Sequence, residues 1–164
     1  YSNIIKRNFL TLKIICLKVL RSKIKFFIND VREKNQRLML NFGHTFAHAI
    51  EMAGSLNNKY QINHGEAVSL GILCEMKYAG TKKKFIDYIN DIILKFDLPR
   101  KVSLNKISKK FFYKRVYENL FLDKKRISKY PRYIKIDKNL KPSISELKNL
   151  KKVKKIIKNT VKTI

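Results

Sequence analysis

The three histidines of this sequence are the residues whose type and spacing suggest chemistry. His44 and His48 lie one turn apart on a predicted helix, and His64 follows after a predicted turn. Two imidazoles with this spacing can bind one metal ion together, as they do in zinc sites. Imidazole ligands suit zinc and its neighbours among the divalent metals. A metal ion with three protein ligands and an open position would act as a Lewis acid rather than as a structural element.

The helical histidines belong to a stripe of polar side chains on an otherwise apolar segment. The stripe repeats at steps of three and four residues and consists of Arg37, Asn41, His44, His48 and Glu51. Such steps place side chains on one helix face, and burying them would be costly unless they faced a wet or ligand-filled cavity. The alternative is an ordinary amphipathic helix with its polar face in solvent. The stripe contains no lysine although the chain is rich in lysine, and this favours the cavity.

The elements that must position these residues are predicted to be helices. Apolar residues recur with helical period over residues 1–28, 36–53, 64–79, 82–97 and, as one or two helices, 104–121. A last helix is predicted to start at Ser143 and Glu146, which have capping-box spacing, and to bury Leu147. Residues 130–136 alternate weakly and fit either a short strand or a loop. The predicted fold class is all-α, a multi-helix domain with room for one short strand pair.

Composition favours one folded domain over residues 1–164. The chain is 45% hydrophobic and has few glycines and prolines. The sequence has no run of about 18 apolar residues, so no membrane span is predicted. Basic residues interrupt the N-terminal apolar positions, which argues against a signal peptide. Cys16 and Cys74 lie in apolar stretches without a C-x-x-C pair, so we expect buried thiols in a reducing compartment. The expected location is therefore cytoplasmic.

The strong positive charge has two interpretations. The chain has 38 Lys and Arg against 12 Asp and Glu, a net charge of +26. Such an excess is typical of proteins that bind nucleic acid. Compositional drift in an AT-rich genome would also produce it. The lysines are scattered along the chain without a known nucleic-acid motif, which favours drift and makes a nucleic-acid partner the weaker hypothesis.

Two segments closely resemble 3-dehydroquinate synthase. Its motif L-N-F-G-H-T-F-G-H-A-I-E matches residues 40–51, where Ala47 replaces a glycine, and its motif H-G-E-A-V matches residues 64–68. The resemblance covers most of residues 20–137. Its weaker parts include Lys23, Asn29-Asp30, Glu33, Leu98-Pro99 and Asp123-Lys124-Lys125.

The resemblance implies an activity and a set of site residues. The family converts the phosphorylated keto acid DAHP to 3-dehydroquinate and phosphate in the shikimate pathway of aromatic amino acid biosynthesis. It is a phosphorus-oxygen lyase that uses NAD and a divalent metal, here zinc or cobalt. The implied roles are metal ligation by His44 and His64, catalysis by His48 and Glu33, and substrate binding by Lys23, Arg37, Asn41 and Lys125.

The largest departure from the family is the expected lack of an N-terminal half. The family also has an N-terminal NAD-binding half, which supplies a glutamate as a further metal ligand. The first glycine of this chain is Gly43, so no glycine-rich phosphate-binding turn precedes the histidines. We therefore expect a C-terminal fragment or split subunit that is inactive alone. Its expected partners are the NAD-binding half, the keto-acid substrate and, in the full enzyme, a second copy; we expect no membrane partner.

Three alternatives stay open at this point. One is another sugar-phosphate cyclase, and a second is a relative of the iron-dependent alcohol dehydrogenases, which share a similar histidine pattern. Arg37, Asn41 and the Asp-Lys-Lys element favour the synthase over both. The third is a non-catalytic basic remnant that binds nucleic acid.

Overall fold

Helices form most of the described part of the chain in the computed structural model, so the predicted all-α class is confirmed. The structure describes residues 2–34, 36–56, 59–60, 62–98, 101–104, 107–122 and 128–163. The chain divides into two compact units, Tyr1–Asn41 and Phe42–Ile164, and each is described by itself.

The first unit contains helix α1 (Ser2–Ile5), helix α2 (Phe9–Asn29) and a 3₁₀ helix (Gln36–Asn41). The prediction of one helix over residues 1–28 is wrong near its start, because a break at residues 6–8 divides it. The side chain of Asn8 accepts a hydrogen bond of 3.0 Å from the amide of Thr11 and so caps α2. No described residue of α2 is buried.

The second unit is built around an apolar core between helices. Their bounds are α3 (His44–Gly54), α4 (His64–Ala79), α5 (Lys83–Lys95), α6 (Lys109–Phe121) and α7 (Leu150–Thr160). α3 packs against α4 and α6, and α4 also packs against α5 and α7. The largest fully buried side chains include Phe46, Ile50, Leu70, Phe112 and Leu147. The core therefore holds α3 and α4, which carry the histidines, against each other, with α3 also packed on α6 and α4 on α7.

A left-handed glycine interrupts the helix predicted over residues 36–53. Gly43 has a φ of 85°, which residues with side chains rarely adopt. A Cβ atom there would lie 2.6 Å from Cγ1 of Ile72 in α4. The single-helix prediction is therefore wrong: the 3₁₀ helix ends at Asn41 and α3 starts at His44, because the packing of α3 on α4 requires a turn at Gly43.

Three short strand pairs occur within the described ranges. β1 (Ser55–Leu56) pairs antiparallel with β2 (Lys59–Tyr60), and β3 (Lys101–Val102) pairs parallel with β6 (Lys162–Thr163). The longest pair joins β4 (Arg132–Ile136) and β5 (Pro142–Glu146) in antiparallel register. The weak alternation over residues 130–136 thus marks a strand.

The last helix begins later than predicted. Ser143 and Glu146 belong to β5, and α7 starts at Leu150, where the side chain of Asn149 accepts a hydrogen bond from the amide of Lys152. Leu147 is fully buried, as expected, but it lies between β5 and α7. The capping-box spacing is a local signal, and main-chain pairing with β4 overrides it.

The two cysteines differ in exposure. Cys74 is buried in α4, as predicted, and burial raises the pKa of its thiol to about 12. Cys16 is exposed on α2, so the prediction of a buried thiol is wrong there. Among the described residues, no helix combines the length and the apolar character that crossing a membrane requires.

Candidate active site

The histidines that lie apart in sequence form one cluster in the second unit. His44 is the first residue of α3, His48 lies one turn further along it, and His64 is the first residue of α4. The ring centroid of His44 lies 5.6 Å from that of His48 and 5.2 Å from that of His64. The centroids of His48 and His64 are 5.8 Å apart. The crossing of α3 and α4 therefore brings all three imidazoles together.

A capping box fixes the start of the helix that carries His64. The side chain of Asn63 accepts a hydrogen bond of 3.0 Å from the amide of Glu66, and the carboxylate of Glu66 accepts one of 2.9 Å from the amide of Asn63. Both bonds satisfy amides that the first turn of a helix leaves unpaired. Glu66, two residues after His64 in sequence, is thus a helix-start residue.

Replacing Asn63 with alanine is expected to lower the free energy of unfolding by about 1 kcal/mol, because α4 loses its capping side chain. Urea denaturation followed by circular dichroism measures this loss. Asn149→Ala is the matched control, since Asn149 caps α7 in the same way and α7 carries no histidine. We expect both variants to lose similar stability and only Asn63→Ala to weaken metal binding. An equal effect on metal binding in both would contradict a local role of the cap.

Glu51 orients His64. Its Oε2 atom lies 3.1 Å from Nδ1 of His64, and the Nδ1 atom of His44 lies 3.3 Å from the carbonyl oxygen of Phe42. When both Nδ1 atoms donate their protons to these oxygens, the Nε2 lone pairs of His44 and His64 are available to a ligand. A carboxylate behind a ligating histidine is a common support of metal sites. Glu51 belongs to the predicted polar stripe, but no role was predicted for it; its carboxyl group and its position on the face of the histidines were the available signals.

His48 is held in its neutral form more strongly than an ordinary histidine. Partial burial is the main cause of its lowered pKa, and the neighbouring imidazoles of His44 and His64 lower it further. The carboxylate of Glu51 acts in the opposite direction. A neutral imidazole can accept a proton or donate a lone pair at neutral pH.

His44 and His64 fit the role of two ligands of one metal ion. Two imidazoles bound to one tetrahedral zinc at about 2.0–2.1 Å would have ring centroids about 5 Å apart. The observed separation of 5.2 Å agrees with this geometry. However, no three His, Cys, Asp or Glu side chains among the described residues are grouped so that they could hold a metal ion. The described residues thus supply part of a ligand set.

The remaining described residues of the predicted site lie in the first unit. Asn41 donates a hydrogen bond of 2.8 Å to Glu33, and the guanidinium of Arg37 lies 3.6 Å from the same carboxylate. Glu33 has a φ of 51°, in the left-handed region that residues with side chains rarely adopt. Arg37, Asn41 and Glu33 therefore form one cluster. Lys23 is exposed on α2, and Lys125 lies outside the described residues.

The predicted five-residue stripe on a single helix face is wrong. Arg37 and Asn41 belong to the 3₁₀ helix, whereas His44, His48 and Glu51 belong to α3. The left-handed backbone of Gly43 ends the helical repeat between the two groups.

The fold of the chain resembles that of a solved structure. The chain has a TM-score of 0.56 with the crystal structure of 2-deoxy-scyllo-inosose synthase, at 20% sequence identity, over 80% of this chain and 35% of that one. At this identity the likeness shows a shared fold.

The sequence of the chain matches one protein family. The 3-dehydroquinate synthase C-terminal family matches residues 2–126. The chain is 36% identical over 127 residues to 3-dehydroquinate synthase of Campylobacter fetus subsp. fetus (strain 82-40), which covers 75% of this chain and 34% of that protein. It is also 36% identical over 104 residues to 3-dehydroquinate synthase of Clostridium botulinum (strain Alaska E43 / Type E3), covering 61% of this chain and 27% of that protein.

The chain belongs to the 3-dehydroquinate synthase family and corresponds to its C-terminal domain, so the resemblance inferred from the motifs is confirmed. It spans about a third of the length of the curated relatives it matches.

Proposed function

We propose that this chain forms the metal- and substrate-binding part of a 3-dehydroquinate synthase, which converts DAHP to 3-dehydroquinate and phosphate. The observation that carries the proposal is the convergence of His64 on His44 and His48, in a chain of this family. In this proposal the rest of the enzyme supplies the NAD-binding half and a glutamate ligand. The chain alone is then inactive, and the complete enzyme is a cytoplasmic homodimer.

His44 and His64 are the proposed ligands of zinc or cobalt. When bound, such an ion polarises a substrate hydroxyl and stabilises the alkoxide that develops during oxidation. Glu51 keeps the ring of His64 in the orientation that leaves Nε2 free to coordinate. His48 stays neutral near pH 7 and is therefore suited to accept a proton as phosphate leaves.

The basic and amide side chains are the proposed substrate contacts. Arg37 and Lys23 match the charge of a phosphate or carboxylate, and Asn41 can bind hydroxyls. Lys125 is proposed for the same purpose from its motif alone. Glu33 is proposed as a proton acceptor, and its contacts with Asn41 and Arg37 also hold those two side chains in place.

The test combines this chain with the N-terminal half of the Campylobacter fetus relative. We expect zinc to copurify with the mixture and phosphate to be released from DAHP when NAD is present. His44→Ala should remove both zinc and activity, because it removes a ligand. His48→Ala is the matched control on the same helix: it should keep the zinc and lower phosphate release by roughly 10²–10⁴-fold, as expected for loss of a general acid or base.

Three outcomes would contradict the proposal. The first is a mixture that takes up no zinc and releases no phosphate with any of several related N-terminal halves. The second is zinc uptake that His44→Ala and His64→Ala leave unchanged. The third is release of phosphate by a mixture in which both His44 and His64 are replaced by alanine.

A further inference from the structure

We propose that Glu75 is a positioning residue that holds the first turn of α3, and with it His44, where the histidine cluster forms. The inference rests on the proposed function, because it assigns Glu75 a role toward the same metal ion. Glu75 acts through the backbone on either side of His44.

Glu75 is a carboxyl group in the interior of the second unit. It lies on α4 and is 0% exposed. Its Oε2 atom accepts a hydrogen bond of 3.2 Å from the amide of Ile134 in β4. The amides of Gly43 and Thr45 and the hydroxyl of Thr45 also interact with this carboxyl group. Only the Ile134 bond is well formed, since Oε1 has no hydrogen-bond partner of normal geometry among the described residues.

The start of α3 needs an acceptor from elsewhere. The first amides of any helix lack partners within the helix, and an N-cap side chain usually accepts from them. The N-cap residue of α3 is Gly43, which has no side chain. Glu75 directs its carboxyl group toward these amides from the neighbouring helix, and its partial or full negative charge suits the positive end of α3.

His44 lies between the two residues that Glu75 contacts. Gly43 precedes it and Thr45 follows it, so the carboxyl group of Glu75 lies close to the backbone on both sides of His44. The hydroxyl of Thr45 also donates a hydrogen bond of 2.8 Å to the carbonyl of Arg132 in β4. α3, α4 and β4 therefore meet at this carboxyl group, directly beside the first residue of the cluster.

Stability alone does not account for a carboxyl group at this place. Burying a carboxyl group whose Oε1 atom has no partner among the described residues costs stability, and Glu75→Leu in turn leaves the amide of Ile134 without its acceptor, so the stability of that variant does not distinguish the two roles. A purely structural role therefore predicts that Glu75→Leu leaves metal binding unchanged. A positioning role predicts that metal binding weakens even where the fold is retained.

The experiment titrates the full chain, mixed with the N-terminal half of the Campylobacter fetus relative, with Co²⁺ and follows the visible absorption bands of the bound ion. We expect Glu75→Leu to weaken Co²⁺ binding about 10- to 100-fold, the usual cost of losing support behind a metal ligand, and to change the shape of the bands. Glu75→Gln retains an acceptor oxygen and should restore most of the affinity. The matched control is Thr81→Val: Thr81 is also buried and donates a hydrogen bond of 3.0 Å to the carbonyl of Ile136 in β4, but it lies beyond the C-terminal end of α4. It should bind Co²⁺ as the unchanged chain does.

Each result decides between the hypotheses. Unchanged affinity and bands in Glu75→Leu overturn the role of Glu75. If that variant does not fold, Thr45→Val decides instead, and unchanged binding there overturns the role. Loss of binding in Thr81→Val equal to that in Glu75→Leu also overturns it, because the effect would then be general. His44→Ala separates the two proposals: if it binds Co²⁺ normally, the metal site itself is wrong, whereas its failure to bind beside a normal Glu75→Leu refutes only the positioning role.

Discussion

Replacing Gly71 with alanine is expected to lower the free energy of unfolding by about 3 kcal/mol or more, enough to prevent folding of a marginally stable domain. A Cβ atom at Gly71 would overlap the carbonyl oxygen of Gly43 and lie 2.9 Å from the amide nitrogen of Ala47. Both are backbone atoms of the α3 region, so no side-chain rotation relieves the clash. α3 and α4 would have to separate, which would open the core around Phe46 and Leu70.

Urea denaturation monitored by circular dichroism measures the effect, and Gly65→Ala is the matched control in the same helix. Among the residues that the structure describes, a Cβ atom at Gly65 meets only the side chain of Asn63, at an ordinary 3.7 Å. Alanine also favours the helix, so we expect that variant to be neutral or more stable by up to about 1 kcal/mol. If Gly71→Ala were as stable as Gly65→Ala, α3 and α4 would not cross as closely as the structure shows.

The free energy of unfolding is expected to fall as the pH rises from about 5 to about 7, because the buried carboxyl group of Glu75 loses its proton over this range. Burial is the main cause that raises the pKa of this carboxyl group from 4.5 to about 7, although nearby amides partly oppose it. The folded protein therefore holds the Glu75 proton more tightly than the unfolded chain does. The resulting stabilisation is complete below pH 4.5 and is lost as the pH rises through about 7, and its full size is about 3 kcal/mol.

Glu75→Gln isolates this contribution, because glutamine is neutral at every pH. We would measure the free energy of unfolding of both proteins between pH 5 and pH 8. The difference between them should shift in favour of the glutamine variant by most of the expected 3 kcal/mol across that range. Parallel pH profiles would mean that Glu75 titrates in the folded protein as it does in the unfolded chain.

Local signals in the sequence predicted the helices well where no tertiary contact competed. α4 begins and ends at the predicted residues, because its apolar repeat, its capping box and Gly80 all act within the helix. The predicted helix over residues 36–53 failed at Gly43, since the contact that requires a left-handed residue comes from Ile72 in another helix. β5 was missed because its pairing with β4 is invisible in a local pattern.

The histidine cluster was predictable to a similar extent. The spacing of His44 and His48 and the matching motif around His64 identified the three imidazoles, and the structure brings their rings together. The supports behind them were not predictable, because the contact of Glu51 with His64 and of Glu75 with the start of α3 joins residues distant in sequence. The roles of His44, His48 and His64 themselves stay predictions.

The side chains that bind β4 also control where its sheet ends. One edge of β4 pairs with β5, and the backbone groups of Arg132, Ile134 and Ile136, at every second residue, face the other edge. Each of these three residues forms one backbone hydrogen bond with a side chain. Thr45 donates to the carbonyl of Arg132 and Thr81 to that of Ile136. Glu75 accepts from the amide of Ile134. An open strand edge is a template for pairing with another chain and for aggregation. The same side chains that connect α3 and α4 to this strand therefore also shield it from a further strand, so the sheet stops at β4.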